Sequence, residues 1–188
     1  TRIIDTDTYQ VPTLLFPEIY ISSKERLNRR RSEFNIPFYE WYMDYDNRRG
    51  PEYFNNFTDQ DFDNSRPVLD MLSLITRKMH DAGVNILAGS DSPPWGYSLA
   101  YELQFLVKAG LSEIEALQTA TINAAEYSGM EHQIGAVQEG YIADLSILDA
   151  NPLTNISAVR RNHAVIKGGK FYFNKNLVNR IKTAPTFI

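Results

Sequence analysis

The sequence predicts an α/β fold, and three observations carry that expectation. Val84 to Ala88 is a short apolar run with the length and residue types of a buried strand. Gly89, Ser90 and Asp91 follow at once, then a Pro-Pro-Trp-Gly loop and a helical pattern opening near Ser98. A carboxylate leaving the C-terminal end of a buried strand, ahead of a loop and a helix, stands where α/β barrels and sheets place chemistry. Around this strand the chain reads as amphipathic helices with recognisable starts and stops. After Gly129 the pattern changes to short alternating runs, which read as strands and a hairpin. On residue types alone Asp91 stays open between a functional place and an ordinary turn or capping role.

In chain order, Gln10 to Phe16 is a strand candidate, and Pro12 near its start suits a strand beginning or an edge. A long excursion follows over residues 22–65, read as short amphipathic helices and loops. Its aromatics Phe38, Tyr39, Trp41, Tyr42 and Tyr45 either pack the excursion against the body or line a pocket. Asp59-x-Asp61-x-Asp63-Asn64 has the opening of a calcium loop. It lacks the glycine at the sixth position and has Asp70 where Glu belongs, so it reads as acidic residues ahead of a helix. That helix is expected from about Arg66 to Ala82, with Pro67 in its first turn and Val68, Leu72, Ile75 and Met79 as its apolar stripe. His80 lies in its last turn, where it complements the helix dipole.

A helix from Ser98 to Ala109 follows the Asp91 loop, with Leu99, Leu103 and Leu106 on one side and Gly110 at its end. Ser112 and Glu115 form a capping box for a helix to about Ser128, with Ile114, Leu117, Thr121, Ala124 and Ala125 as its buried face. Tyr141 to Asp149 reads as a strand. His163 to Lys167 and Lys170 to Phe173 around Gly168-Gly169 read as a β-hairpin.

Length and composition bound the function. With 188 residues, 43% of them hydrophobic, the chain can bury one sizeable core, or one and a small second domain. A net charge of −4 and a pI near 5.4 argue against nucleic acid or an anionic membrane surface as partner. No apolar run approaches the roughly 18 residues of a transmembrane helix. The sequence has no cysteine, hence no disulfide and no thiolate ligand or nucleophile. That composition suits a cytoplasmic or an exported protein equally. Thr1, without Met or a signal-peptide pattern, reads as an interior residue of a longer protein.

An ordered series of motifs spans residues 83–172: Gly89-Ser90-Asp91, Glu102-Leu103, Gly110-Leu111-Ser112 and Ala120-Thr121-Ile122-Asn123-Ala124. Ile134-Gly135, Gly140, Ala143-Asp144-Leu145 and Gly169-Lys170 complete it. Together they resemble the C-terminal part of the amidohydrolase superfamily, nearest its imidazolonepropionase-like and prolidase-like metal-dependent hydrolases. Val11-Pro12-Thr13-Leu14 matches that family's penultimate barrel strand. The resemblance implies the C-terminal portion of a metal-dependent (β/α)8 barrel over residues 1–130, comprising its last two strands and the excursion. Strands of a small β-sandwich and a C-terminal tail would fill residues 131–188.

By the same resemblance, a divalent metal, usually Zn2+, sits at the C-terminal ends of the strands and lowers the pKa of an attacking water. Asp91 matches the position of a metal ligand that also serves as catalytic base. A carboxylate suits both tasks. Trp95 and Ser92, in the loop that follows, are candidate substrate contacts. Glu102 reads as a buried polar anchor under the Asp91 loop, and Asp144 as a structural residue of the sandwich.

The chain departs from the family in its histidines. No His-x-His occurs, and none of His80, His132 and His163 matches a ligand position. A catalytic zinc takes about three protein ligands, so the remaining ones are expected upstream or on another chain. The implied function is hydrolysis of a C–N bond in a small-molecule cyclic amide or dipeptide-like amide. The alternative is an amidohydrolase-like scaffold or assembly protein that lacks the metal ligands. Two barrel strands alone leave open sheet edges, so pairing with the missing part or another chain is expected, as is a homo-oligomer.

Overall fold

A computed structural model describes Thr6 and residues 8–15, 58–91 and 96–183. Most of the excursion, with its five aromatics, lies outside the described residues, as do Ser92 and Trp95. Two short strands, β1 (Tyr9–Gln10) and β2 (Asn85–Ile86), pair in parallel with Tyr9 opposite Asn85 and Gln10 opposite Ile86. The Leu87 N–H extends the pair by donating to the Gln10 carbonyl at 2.9 Å. Parallel neighbours need a long crossover, and here it includes α1 (Asp59–Asp81).

Strand β1 is shorter than the apolar run from Gln10 predicts. Pro12 has no N–H to give a ladder, and Thr13 turns the chain with φ 52°. Leu14 and Leu15 then enter the core rather than the strand. Helix α1 begins earlier than expected, because Thr58 and Asp61 form a capping box. The acidic cluster thus lies within the helix's first turns, and Pro67 falls in the helix interior instead of its first turn. The inward face is Leu72, Thr76 and Met79, whereas Val68 and Ile75 of the expected stripe are exposed alongside Met71 and Leu74.

Helix α2 (Tyr97–Lys108) follows the Asp91 loop and buries Ser98, Ala100, Glu102, Leu103 and Leu106. The predicted single helix after Ser112 is two: α3 (Glu113–Thr119) and α4 (Ile122–Tyr127). They separate because the Thr119 carbonyl leaves the helical ladder to accept the Ala88 N–H at 3.1 Å. Ala116, Thr119 and Ala125 form the buried face, while Ile114 and Thr121 are exposed. Strand and helices share one core of Leu14, Val84, Ile86, Leu103, Leu106, Leu111, Ala116 and Ile156. Each large side chain so buried contributes about 1.5–3 kcal/mol.

A three-stranded antiparallel sheet follows: β3 (Leu145–Leu148), β4 (Asn162–Lys167) and β5 (Lys170–Phe173) in that order. The 3-10 helix Ile156–Arg160 between β3 and β4 packs on α2, with Arg160 over the Tyr101 ring. Asp144 fastens the β4–β5 turn, accepting the Gly168 N–H at 2.7 Å and pairing with Lys167. The tail is helical where no element was expected, α5 (Asn174–Thr183) lying against β4 and β5. No helix among the described residues is long and apolar enough to cross a membrane.

Candidate active site at the strand ends

Asp91 stands five residues past the C-terminal end of β2, exposed, with its backbone in the left-handed region at φ 42°. Aspartate tolerates that conformation better than most residues. Its carboxylate makes no hydrogen bond or ion pair with any other described residue. It does not cap the following helix: the N-cap of α2 is Gly96, and no side chain caps it.

What lies beneath Asp91 is tightly built. Ser90 is buried and its hydroxyl donates to Ser98 of α2 at 2.9 Å. Gly89 runs so close to β1 that a Cβ there would lie 2.5 Å from Val11 Cγ1. Only glycine allows the two strand ends to approach in this way. On the other side, Asn123 Nδ2 donates to the Ile86 carbonyl at 3.1 Å, and the Ala88 N–H is taken by Thr119. Successive backbone groups of an extended strand point to alternate edges. The Leu87 N–H faces β1, so Thr119 and Asn123 cover the opposite edge of β2, which would otherwise be unpaired.

Glu102 is wholly buried and accepts two backbone N–H groups, Leu14 on Oε1 at 2.9 Å and Leu15 on Oε2 at 2.7 Å. It is a buried anchor, as expected, but it holds the loop after β1 rather than the Asp91 loop. Burial pushes its carboxyl up to about 7 against the pull of the two N–H bonds. Sequence reasoning took Ser98 only as a helix start and Asn123 only as a motif residue, and it missed Thr119. The Ala-Thr-x-Asn motif was the available signal, since Asn has no packing reason to stand among alanines.

The three histidines lie elsewhere. His80 Nε2 meets Glu115 Oε1 at 3.1 Å near the start of β2, the end opposite Asp91. Ser112's backbone and hydroxyl, then His80, hold Glu115 down at about 2. A cleft of about 190 Å³ there is lined by His80, Asn85, Glu115, Gln118, Thr119 and Asn123. His163 pairs with Asp149, and His132 with its neighbour Glu131. Among the described residues no group of three or more His, Cys, Asp or Glu side chains could hold a metal ion. Asp91 is thus an exposed oxygen donor, and the described residues complete no metal-ligand set around it.

The sequence matches the model of the amidohydrolase family over residues 51–171, more than half of the chain. The chain belongs to the amidohydrolase family. It is 41% identical over 96 residues to an ochratoxinase of Aspergillus niger, a match covering 48% of this chain and 20% of that protein. It is 34% identical over 110 residues to an imidazolonepropionase of Geobacillus thermodenitrificans, covering 54% and 26%. In structure it resembles a Xaa-Pro dipeptidase crystallised with methionine in its active site, with TM-score 0.64 and 24% identity. That likeness covers 92% of this chain and 36% of the dipeptidase, and it shows a TIM-barrel-like α/β fold. This amidohydrolase chain matches a fifth to a quarter of the length of these two curated relatives.

Proposed function

We propose that this chain forms part of a metal-dependent hydrolase of C–N bonds, with Asp91 as metal ligand and general base. The substrate class is a cyclic amide or a dipeptide-like amide. The observation that carries the reading is Asp91 itself: a carboxylate at the C-terminal end of a parallel strand, exposed, left-handed, and committed neither to capping α2 nor to any described neighbour. Such strand ends are where barrels of this class place catalytic groups. The names of the matched proteins, a dipeptidase, an ochratoxinase and an imidazolonepropionase, support hydrolysis at carbon–nitrogen bonds.

In this reading β1 and β2 are the last two strands of a (β/α)8 barrel carried by residues 1–130. Residues 131–188 are the return strands of a small β-sandwich with their tail. The metal is divalent, Zn2+ by preference, and its other ligands come from outside the described residues. Bound there, it would polarise the scissile carbonyl and make water a better nucleophile at neutral pH. Asp91 takes the proton from the attacking water and delivers it to the departing nitrogen, one carboxylate serving first as base and then as acid. Ser90, tied to Ser98, holds the backbone from which Asp91 projects. Trp95 and Ser92, next in the loop, contact the substrate. The remainder of the barrel, in the same or another chain, pairs with the open edge of β1, and the whole assembles as a homo-oligomer.

The test is Asp91→Asn in the full-length protein, assayed on N-acyl amino acids, dipeptides and cyclic amides. Loss of a positioned base lowers kcat by about 10²–10⁴-fold, with the circular dichroism spectrum unchanged. Turnover at the wild-type rate overturns the assignment.

A further inference from the structure

Ser98 and Glu102 lie one turn apart on the buried face of α2, and each grips a different strand end. Ser98 receives the hydroxyl of Ser90, the residue before Asp91. Glu102 receives the N–H groups of Leu14 and Leu15, just past the left-handed Thr13 that turns the chain off β1. Successive N–H groups in such a turn form a concavity suited to an anion, and here the chain fills it with its own carboxylate. A carboxylate is costly to bury, and well-packed apolar residues of similar volume often stabilise a core as well or better. What it offers instead is two acceptor oxygens in one plane, which fix the direction of two N–H groups at once.

We propose that α2 is a clamp in which Ser98 and Glu102 are positioning residues, setting the Asp91 loop and the loop after β1 in one fixed relation. The Gly89–Val11 approach makes that relation close, since a Cβ at Gly89 would lie 2.5 Å from Val11 Cγ1. Displacement of the Thr13–Leu15 turn is therefore transmitted to Gly89 and on to Asp91. The clamp's bearing on metal binding rests on the Asp91 reading given above; its mechanical part does not.

The experiment is Glu102→Gln and Ser98→Ala in the full-length protein, read by amide hydrogen exchange and by Zn2+ affinity in chelator competition. Glutamine keeps the shape of Glu102 but sets an NH2 against one of the two N–H groups. In folded Glu102→Gln, exchange is expected to speed by about tenfold or more at residues 87–91 as well as at Leu14 and Leu15. Zn2+ affinity is expected to fall by up to about tenfold, less than the loss of a partner bonded directly to a metal ligand causes. Ser98→Ala is expected to speed exchange at Leu14 and Leu15 in return, and it keeps the question decidable if Glu102→Gln does not fold. Faster exchange confined to the loop each residue touches overturns the clamp, whatever Asp91→Asn does to zinc. Undiminished Zn2+ affinity in Asp91→Asn overturns the Asp91 reading instead, leaving exchange to decide the clamp.

Discussion

Gly135 and Asp91 both hold a left-handed backbone, for opposite reasons. At Gly135, with φ 93°, a Cβ would stand 2.8 Å from Ala125 Cβ and 3.1 Å from both Ile122 Cα and the Thr121 carbonyl. Two of those neighbours are backbone and cannot swing aside. Gly135→Ala therefore adds conformational strain to overpacking and is expected to cost about 2–4 kcal/mol in urea denaturation. A loss below about 0.5 kcal/mol, the level of an ordinary surface change, would show that the loop relaxes freely. At Asp91 the same backbone region leaves the carboxylate exposed and without a partner among the described residues. This is why the Ile134-Gly135 pair reads as architecture and the Gly89-Ser90-Asp91 triplet reads as a site.

Between elements, the tie from α2 to the end of β1 couples folding to pH. The Glu102 carboxyl rises from an ordinary 4.5 to about 7 because burial outweighs its two N–H bonds. The folded state thus holds a proton that the unfolded chain has released in the window between those values. Stability is expected to fall as pH rises through that window, by at most about 1.4 kcal/mol per pH unit. Glu102→Gln should flatten the slope in chemical denaturation at pH 5, 6 and 7; a slope that persists in this variant would assign it to another group. What the sequence disclosed about elements was local. The Ser112–Glu115 capping box, the α2 span and the Gly168-Gly169 hairpin all depend on residues a few positions apart. The break between α3 and α4 was hidden, because it depends on the Thr119 carbonyl lent to Ala88, thirty-one residues upstream. The start of α1 was hidden because its box uses Asp61 where Glu or Gln is the usual signal. The polar α5 takes its place from contact with β4 and β5, which no local pattern announces.

At the scale of the whole molecule, the motif series is explained by the tertiary contacts its polar members make. Glu102 holds the turn after Val11-Pro12-Thr13, Asn123 holds the carbonyl of Ile86, and Asp144 holds the turn at Gly168. Residues far apart in sequence are thus the two halves of single tertiary hydrogen bonds, and so the family could be recognised before any contact was visible. The ligand set could not be read in the same way. Catalytic groups of such folds sit on several strand ends, and the described residues hold one parallel pair of strands and no group of three or more side chains that could bind a metal ion.

The central claim is that Asp91 belongs to a metal centre, and bound metal per polypeptide tests it most directly. The full-length protein purified from its native source, with its intact mass recorded, is analysed for zinc beside Asp91→Asn prepared under matched conditions. The account predicts one or two divalent ions per chain in the wild type, with the Asp91→Asn protein folded and depleted. Wild-type protein that carries no metal and gains none from added Zn2+ would contradict it and favour the non-catalytic scaffold reading.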